Sequence, residues 1–145
     1  CADLAKRSCP PLRKLTSPPN KERQMTIKRI GVTSEYGPLM SRAVIYGDTV
    51  MLSGVVAGDL SQDTEAQTRE ILRTIDRLLA EASTNRNNVL TAHIWLSDMA
   101  NFQQMNVGWN DWVDAVAPPA RTCVSGELYH PDCKVEITVT AVTEN

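Results

Sequence analysis

Five aliphatic residues, Ile71, Leu72, Ile75, Leu78 and Leu79, recur at the three- and four-residue spacing of a single helical stripe. Arg69, Glu70, Arg73, Asp76 and Arg77 fill the remaining positions and are expected to face water. Asp63 or Thr64 can cap this helix, Glu65 falls in its first turn, and the periodicity runs to about Ala82. A stripe this apolar needs a second apolar layer to lie on.

The flanking segments supply that layer. Thr26–Val32 alternates and is rich in β-formers, so it reads as a strand. Ser41–Tyr46 and Thr49–Ser53 flank Gly47-Asp48, a two-residue hairpin signal. A loop, Gly54–Asp63, leads into the helix, and Asn85–Asn88 turns the chain into a buried strand, Val89–Leu96. A second helix is expected from Ser97 or Asp98 to about Val116, with Phe102, Met105, Trp109, Trp112 and Val116 on its apolar side. Pro118-Pro119 stops it, because proline lacks an amide donor and restricts the residue before it. Arg121–Leu128 and Lys134–Val142 read as closing strands.

The order βββαβαββ predicts an α+β fold, one sheet with both helices on one face. The last strand sets Val135, Ile137 and Val139 against Lys134, Glu136, Thr138 and Thr140. One sheet face is therefore apolar and the other mixed, which suits water or a partly polar subunit interface.

Residues 1–24 differ in composition from the remainder of the chain: they carry four prolines and many basic residues without apolar periodicity. They read as a disordered or non-native leader, not a signal peptide, because no apolar run lies between the charges. The domain is expected at 25–145. Cys1 and Cys9 lie in the leader, Cys123 and Cys133 in the domain, and no CxxC pair joins them. Reduced thiols in a cytoplasmic protein are the simpler expectation. His93 and His130 are the sole histidines, in no ligand-like spacing, so no metal and no cofactor are expected. A formal charge of −2 with scattered Lys and Arg argues against a nucleic-acid or membrane partner.

Ser41–Val44, Leu52-Ser53-Gly54, Gln67, Asn106 to Trp109, Pro119–Val124 and Val135–Ile137 follow one another in an order and spacing that resembles the reactive-intermediate deaminase family, Rid, also called YjgF. The likeness runs from about Gly31 to Val142. It implies a chorismate-mutase-like fold, a homotrimer with clefts between subunits, and cofactor-free hydrolysis of short 2-enamino or 2-imino acids such as 2-aminoacrylate. It implies that Arg121 holds the substrate carboxylate and that Glu136 activates water. It further implies that the Cys123 backbone amide, the Ser53-Gly54 turn of a neighbouring subunit, and Asn106 line the pocket. Many family members carry a tyrosine after the first-turn proline; here the stretch is Pro38-Leu39-Met40-Ser41, leaving Tyr36 or Tyr129 as substitutes.

The residues alone leave other accounts open. Arg121 suits an ordinary ion pair or a solvated strand start, Glu136 an exposed or interface glutamate, and Ser53-Gly54 a plain strand terminator. Asn106 can bond its own backbone or water, and Trp109 and Trp112 read as core or interface aromatics. Two further functions stand beside the deaminase: a trimeric sensor or carrier of small carboxylates, and a ribonuclease, which the acidic balance disfavours. If the last two strands paired directly as a hairpin about Pro131, Arg121 and Glu136 would stand several residues out of register; the family fold does not pair them so.

Overall fold

Asp63 begins the long helix by accepting the Ala66 amide on its carboxylate at 2.8 Å, the side-chain cap the sequence offers. In the computed structural model, which describes residues 25–35 and 37–144, this helix is α1 (Thr64–Glu81). The 1–24 leader with Cys1 and Cys9, and Tyr36, lie outside the described residues. All five aliphatic stripe residues are buried. The strands are β1 (Ile27–Ile30), β2 (Ala43–Tyr46), β3 (Thr49–Leu52), β4 (Val55–Val56), β5 (Val89–Leu96), β6 (Ala120–Ser125) and β7 (Val135–Val142), and the second helix is α2 (Phe102–Trp112). Among the described residues, no helix is long and apolar enough to cross a membrane.

The strands form one sheet in the order β1-β2-β3-β7-β5-β6, with β4 paired to β7. Alternation along β7 decides which face is which. Val135, Ile137, Val139 and Ala141 are buried among Ile71, Ile75, Leu79, Met105 and Trp109, while Glu136, Thr138 and Thr140 point to the opposite face. Among the described residues, the helices cover one face only. Met51, Trp95 and Val124 are large apolar residues exposed on the uncovered side, which gives that face its mixed character.

Several expectations are corrected. The Gly54–Asp63 loop contains β4, because Val55 and Val56 pair with Ile137 and Glu136. The second helix stops at Trp112: Val113 is already extended, and the Asp114 carboxylate accepts the Val116 amide in a turn. Val116 is consequently 91% exposed instead of apolar-side. The strand beginning near Arg121 ends at Ser125, not Leu128. The polar side of α1 is partly an inter-helix seam: Arg69 reaches Asp111 on α2 at 2.7 Å, and Asp76 accepts the Trp112 indole N–H at 3.0 Å. The last two strands make no hairpin, since β5 lies between them, parallel to β6 and antiparallel to β7.

Candidate functional site

Glu136 sits on β7 opposite Trp95 of β5 and Val56 of β4, on the uncovered face. Its carboxyl lies against the backbone of Gly54. A Cβ at position 54 would overlap Glu136 Oε1 and come within 3.1 Å of the carboxyl carbon. The glycine thus leaves room for the carboxyl in this position, and no unusual backbone angle calls for it. The two residues line a cavity of about 520 Å³, together with Arg42, Met40, Val56 and Tyr129. That volume falls within the range of small-molecule sites, about 300–1,000 Å³. Burial raises the Glu136 carboxyl above its ordinary value of 4.5. A carboxylate so lifted is a better proton acceptor near neutrality.

Arg121 stands elsewhere. Its strand partner Ala92 is buried in the core, so Arg121 projects on the helix side of the sheet. One guanidinium nitrogen donates to Asn106 Oδ1 at 2.8 Å, and the group lies over the Phe102 and Trp109 rings at 5.7 and 5.4 Å. The fork is therefore held by α2 while β6, at the sheet edge, carries its backbone. Cys123 shares its face, two residues on. Burial pushes the Cys123 thiol up, against a smaller opposing pull from Arg121, so the thiol stays protonated at neutral pH. The Gly126 amide donates to the Leu96 carbonyl at 3.0 Å, continuing the parallel ladder. Alternation along β6 then turns the Cys123 amide away from β5, towards the open edge.

Two clusters result: Glu136 with Gly54, and Arg121 with Asn106 and Cys123. They occupy opposite faces of one sheet. Ser53 stands beside the first cluster without lining its cavity; its amide donates to the Arg42 carbonyl at 3.0 Å, and its buried hydroxyl has no partner among the described residues. Tyr129 does line the cavity, and of the two substitutes for the missing turn tyrosine it is the one among the described residues. Among the described residues, no three of His, Cys, Asp and Glu stand together as a metal-binding group.

Gln67 carries a structural role that its motif did not reveal. Fully buried, it donates to the carbonyls of Leu60, Gln62 and Asp132 at 3.3, 3.1 and 3.0 Å, and accepts the Lys134 amide at 3.0 Å. It clasps the approach to α1 against the residue that leads into β7, and so fixes where Glu136 begins.

Fold and cavity together define a small α+β domain with a carboxyl-bearing pocket on its uncovered sheet face. Residues 27–143 match the family profile described as endoribonuclease L-PSP. A RutC family protein of Haemophilus influenzae is 39% identical over 118 residues, 81% of this chain and 98% of that protein. The RutC family protein YoaB of Escherichia coli is 36% identical over 117 residues, again 81% and 98%. The crystal structure of a YjgF family member from Neisseria meningitidis superposes with a TM-score of 0.78 at 39% identity, covering 83% of this chain and 98% of the other. The chain belongs to the YjgF/Rid family.

Proposed function

We propose that the protein is a hydrolytic deaminase that converts 2-enamino and 2-imino acids to 2-keto acids and ammonia, at a site shared by two subunits of a homotrimer. The observation that carries this reading is the half-buried Glu136 carboxyl resting on Gly54 at the wall of a small-molecule cavity. Arg121 and Glu136 project from opposite faces of one protomer, so a single small molecule meets both only across an interface. The mixed uncovered face of one copy would receive the β6 edge of the next.

In such a cleft Arg121 pairs with the substrate carboxylate, and its bond to Asn106 keeps the guanidinium aimed. The outward Cys123 amide donates a further hydrogen bond. Glu136 takes a proton from water as the water oxygen adds to the imine carbon, the C=N electron pair moves to nitrogen, and Glu136 passes that proton on to the nitrogen. The carbinolamine then loses ammonia as the C=O bond forms. Positioning and one base suffice for a reaction that already runs in water.

The test is keto-acid release from imines generated in situ by an amino-acid oxidase, with and without the protein. Acceleration by wild type, slowed about 10²–10⁴-fold by Glu136→Gln with keto-acid binding retained, fits general-base catalysis. Arg121→Ala should instead weaken keto-acid binding by about 2 kcal/mol or more. Binding without any acceleration by wild type would leave a carboxylate sensor or carrier as the function.

A further inference from the structure

Tyr129 lines the Glu136 cavity and also a second cavity of about 420 Å³, formed with Ser97, Glu127, Leu128, His130 and Pro131. No other described residue lines both. Tyr129 is 69% exposed and takes no part in the core that joins the helices to the sheet. The fold does not need this ring for its own packing. An aromatic ring left in water at a cavity wall is apolar surface open to a ligand.

The chain that carries the ring is nonetheless held in place. His130 Nδ1 accepts the Asp132 amide at 3.1 Å, and the His130 carbonyl accepts the Cys133 amide at 3.0 Å. Cys133 is fully buried, and Gln67 grips the residues on either side of it, Asp132 and Lys134. The Tyr129 ring lies beside the His130 ring, with centroids 5.9 Å apart and planes tilted by 53°. The Tyr129 hydroxyl makes no hydrogen bond among the described residues, so packing sets the place of the ring. An aromatic wall on an anchored loop costs a ligand little ordering.

Elsewhere on the wall of the Glu136 cavity, Pro38, Met40 and Val56 add apolar surface. Glu35 and Arg42 bring one charge of each sign beside Glu136, and Arg42 has an interaction of its own. Opposed charges select no one charged side chain, whereas the ring and its apolar neighbours favour a large apolar one. We propose that Tyr129 is a specificity-determining residue whose ring forms one wall of the side-chain subsite, so that this site favours 2-imino acids with a large apolar side chain over those with a methyl group. The inference rests on the deaminase reading for the head group of the substrate and its hold on Arg121. An apolar wall discriminates by the surface it removes from water, about tenfold or more for a ring against a methyl.

The test uses 2-oxo-4-phenylbutanoate and pyruvate, which share a head group and differ in the side chain. In calorimetric titrations the full chain should bind the phenyl acid at least about tenfold tighter. Tyr129→Ala should cut that preference about fivefold or more, with pyruvate affinity within about twofold of wild type. Tyr129→Phe should keep the preference within about twofold, because the ring remains and only the hydroxyl is lost. Equal affinities in wild type, equal weakening of both acids by Tyr129→Ala, or loss of the preference in Tyr129→Phe would overturn the proposal. A change in particle mass for Tyr129→Ala on light scattering would also overturn it, by assigning the ring to contact between subunits. Turnover of the imines of homophenylalanine and alanine is measured in parallel. Turnover of both imines without any preference in binding would remove the role of Tyr129 and leave the reaction. A preference that depends on Tyr129, with no turnover of either imine, would remove the deaminase reading and leave the subsite.

Discussion

The Glu136 carboxyl occupies the space where a side chain at Gly54 would begin. This ties the chemistry of β7 to a single residue in the turn between β3 and β4. Gly54→Ala should therefore displace the carboxyl and spare the fold, because the atom that must yield is the tip of a flexible side chain. A displacement on the order of 1 Å at a catalytic group can cost about 10²-fold in rate. Imine turnover should fall by about that factor while the melting temperature shifts by roughly 2 °C or less. Full activity in Gly54→Ala would show that the position of Glu136 against this turn is immaterial.

Burial sets a sign for the pH dependence of stability. The Glu136 carboxyl is raised above 4.5 in the folded protein, so ionising it costs more there than in the unfolded chain. Its contribution is most favourable below 4.5, and is lost as pH rises through the raised value. Glu136→Gln removes the ionisation, so it should melt higher than wild type at pH 8, and the gap should close below about pH 4. Thermal melts of both proteins across that window provide the check. A less stable Glu136→Gln at pH 8 would mean that the ionised carboxylate is held by interactions stronger than its desolvation. Turnover should have its acid limb above 4.5, since the base must be ionised.

Gln67→Leu keeps the approximate volume and removes every hydrogen bond of the clasp. The Leu60 and Asp132 carbonyls and the Lys134 amide would lose their side-chain partner, while the Gln62 carbonyl keeps the Lys134 ammonium at 3.0 Å. At about 1–3 kcal/mol for a buried polar group left unmade, with some relaxation, the total should approach 3 kcal/mol. That corresponds to roughly a 10 °C fall in melting temperature for a domain of this size. Turnover measured well below the new midpoint should also fall, because Lys134 leads directly into the strand that carries Glu136. A shift of only about 1–2 °C would show that these groups find other partners.

The parts legible in the sequence were those whose cause is local. The α1 stripe, the Asp63 cap, the bounds Val89–Leu96 and the alternation of β7 each rest on residues a few positions apart. The motif around Glu136 and Gly54 was legible through resemblance, and the chain places those two side by side. What was hidden is non-local. The insertion of β5 between β6 and β7 puts Arg121 and Glu136 on opposite faces, and no spacing along the chain expresses that. β4 is two residues long, too short to show alternation. The charged side of α1 looks the same in sequence whether it meets water or α2, so the Arg69–Asp111 and Asp76–Trp112 contacts had no local signal. Arg42 did have one: it precedes a core-facing alanine, which by alternation alone turns it to the face of Glu136.

The opposite placement of Arg121 and Glu136 makes the shared-site reading testable without a further structure. Arg121→Ala and Glu136→Gln each disable one half of a site, but on different faces of the protomer. If each site draws Arg121 from one subunit and Glu136 from its neighbour, a trimer built from both variants regenerates intact sites. Those sites form wherever a Glu136→Gln subunit presents its Arg121 to the Glu136 of an Arg121→Ala subunit. Random reassembly of an equal mixture in a three-fold ring gives intact pairs at about one site in four. The mixture, unfolded and refolded together, should recover roughly a quarter of wild-type imine turnover, while each variant refolded alone remains near its own low rate. Light scattering on the same samples should give three chains per particle. No recovery from a mixture shown to exchange subunits would place both residues in service of one chain. A fully active monomer would remove the interface site altogether.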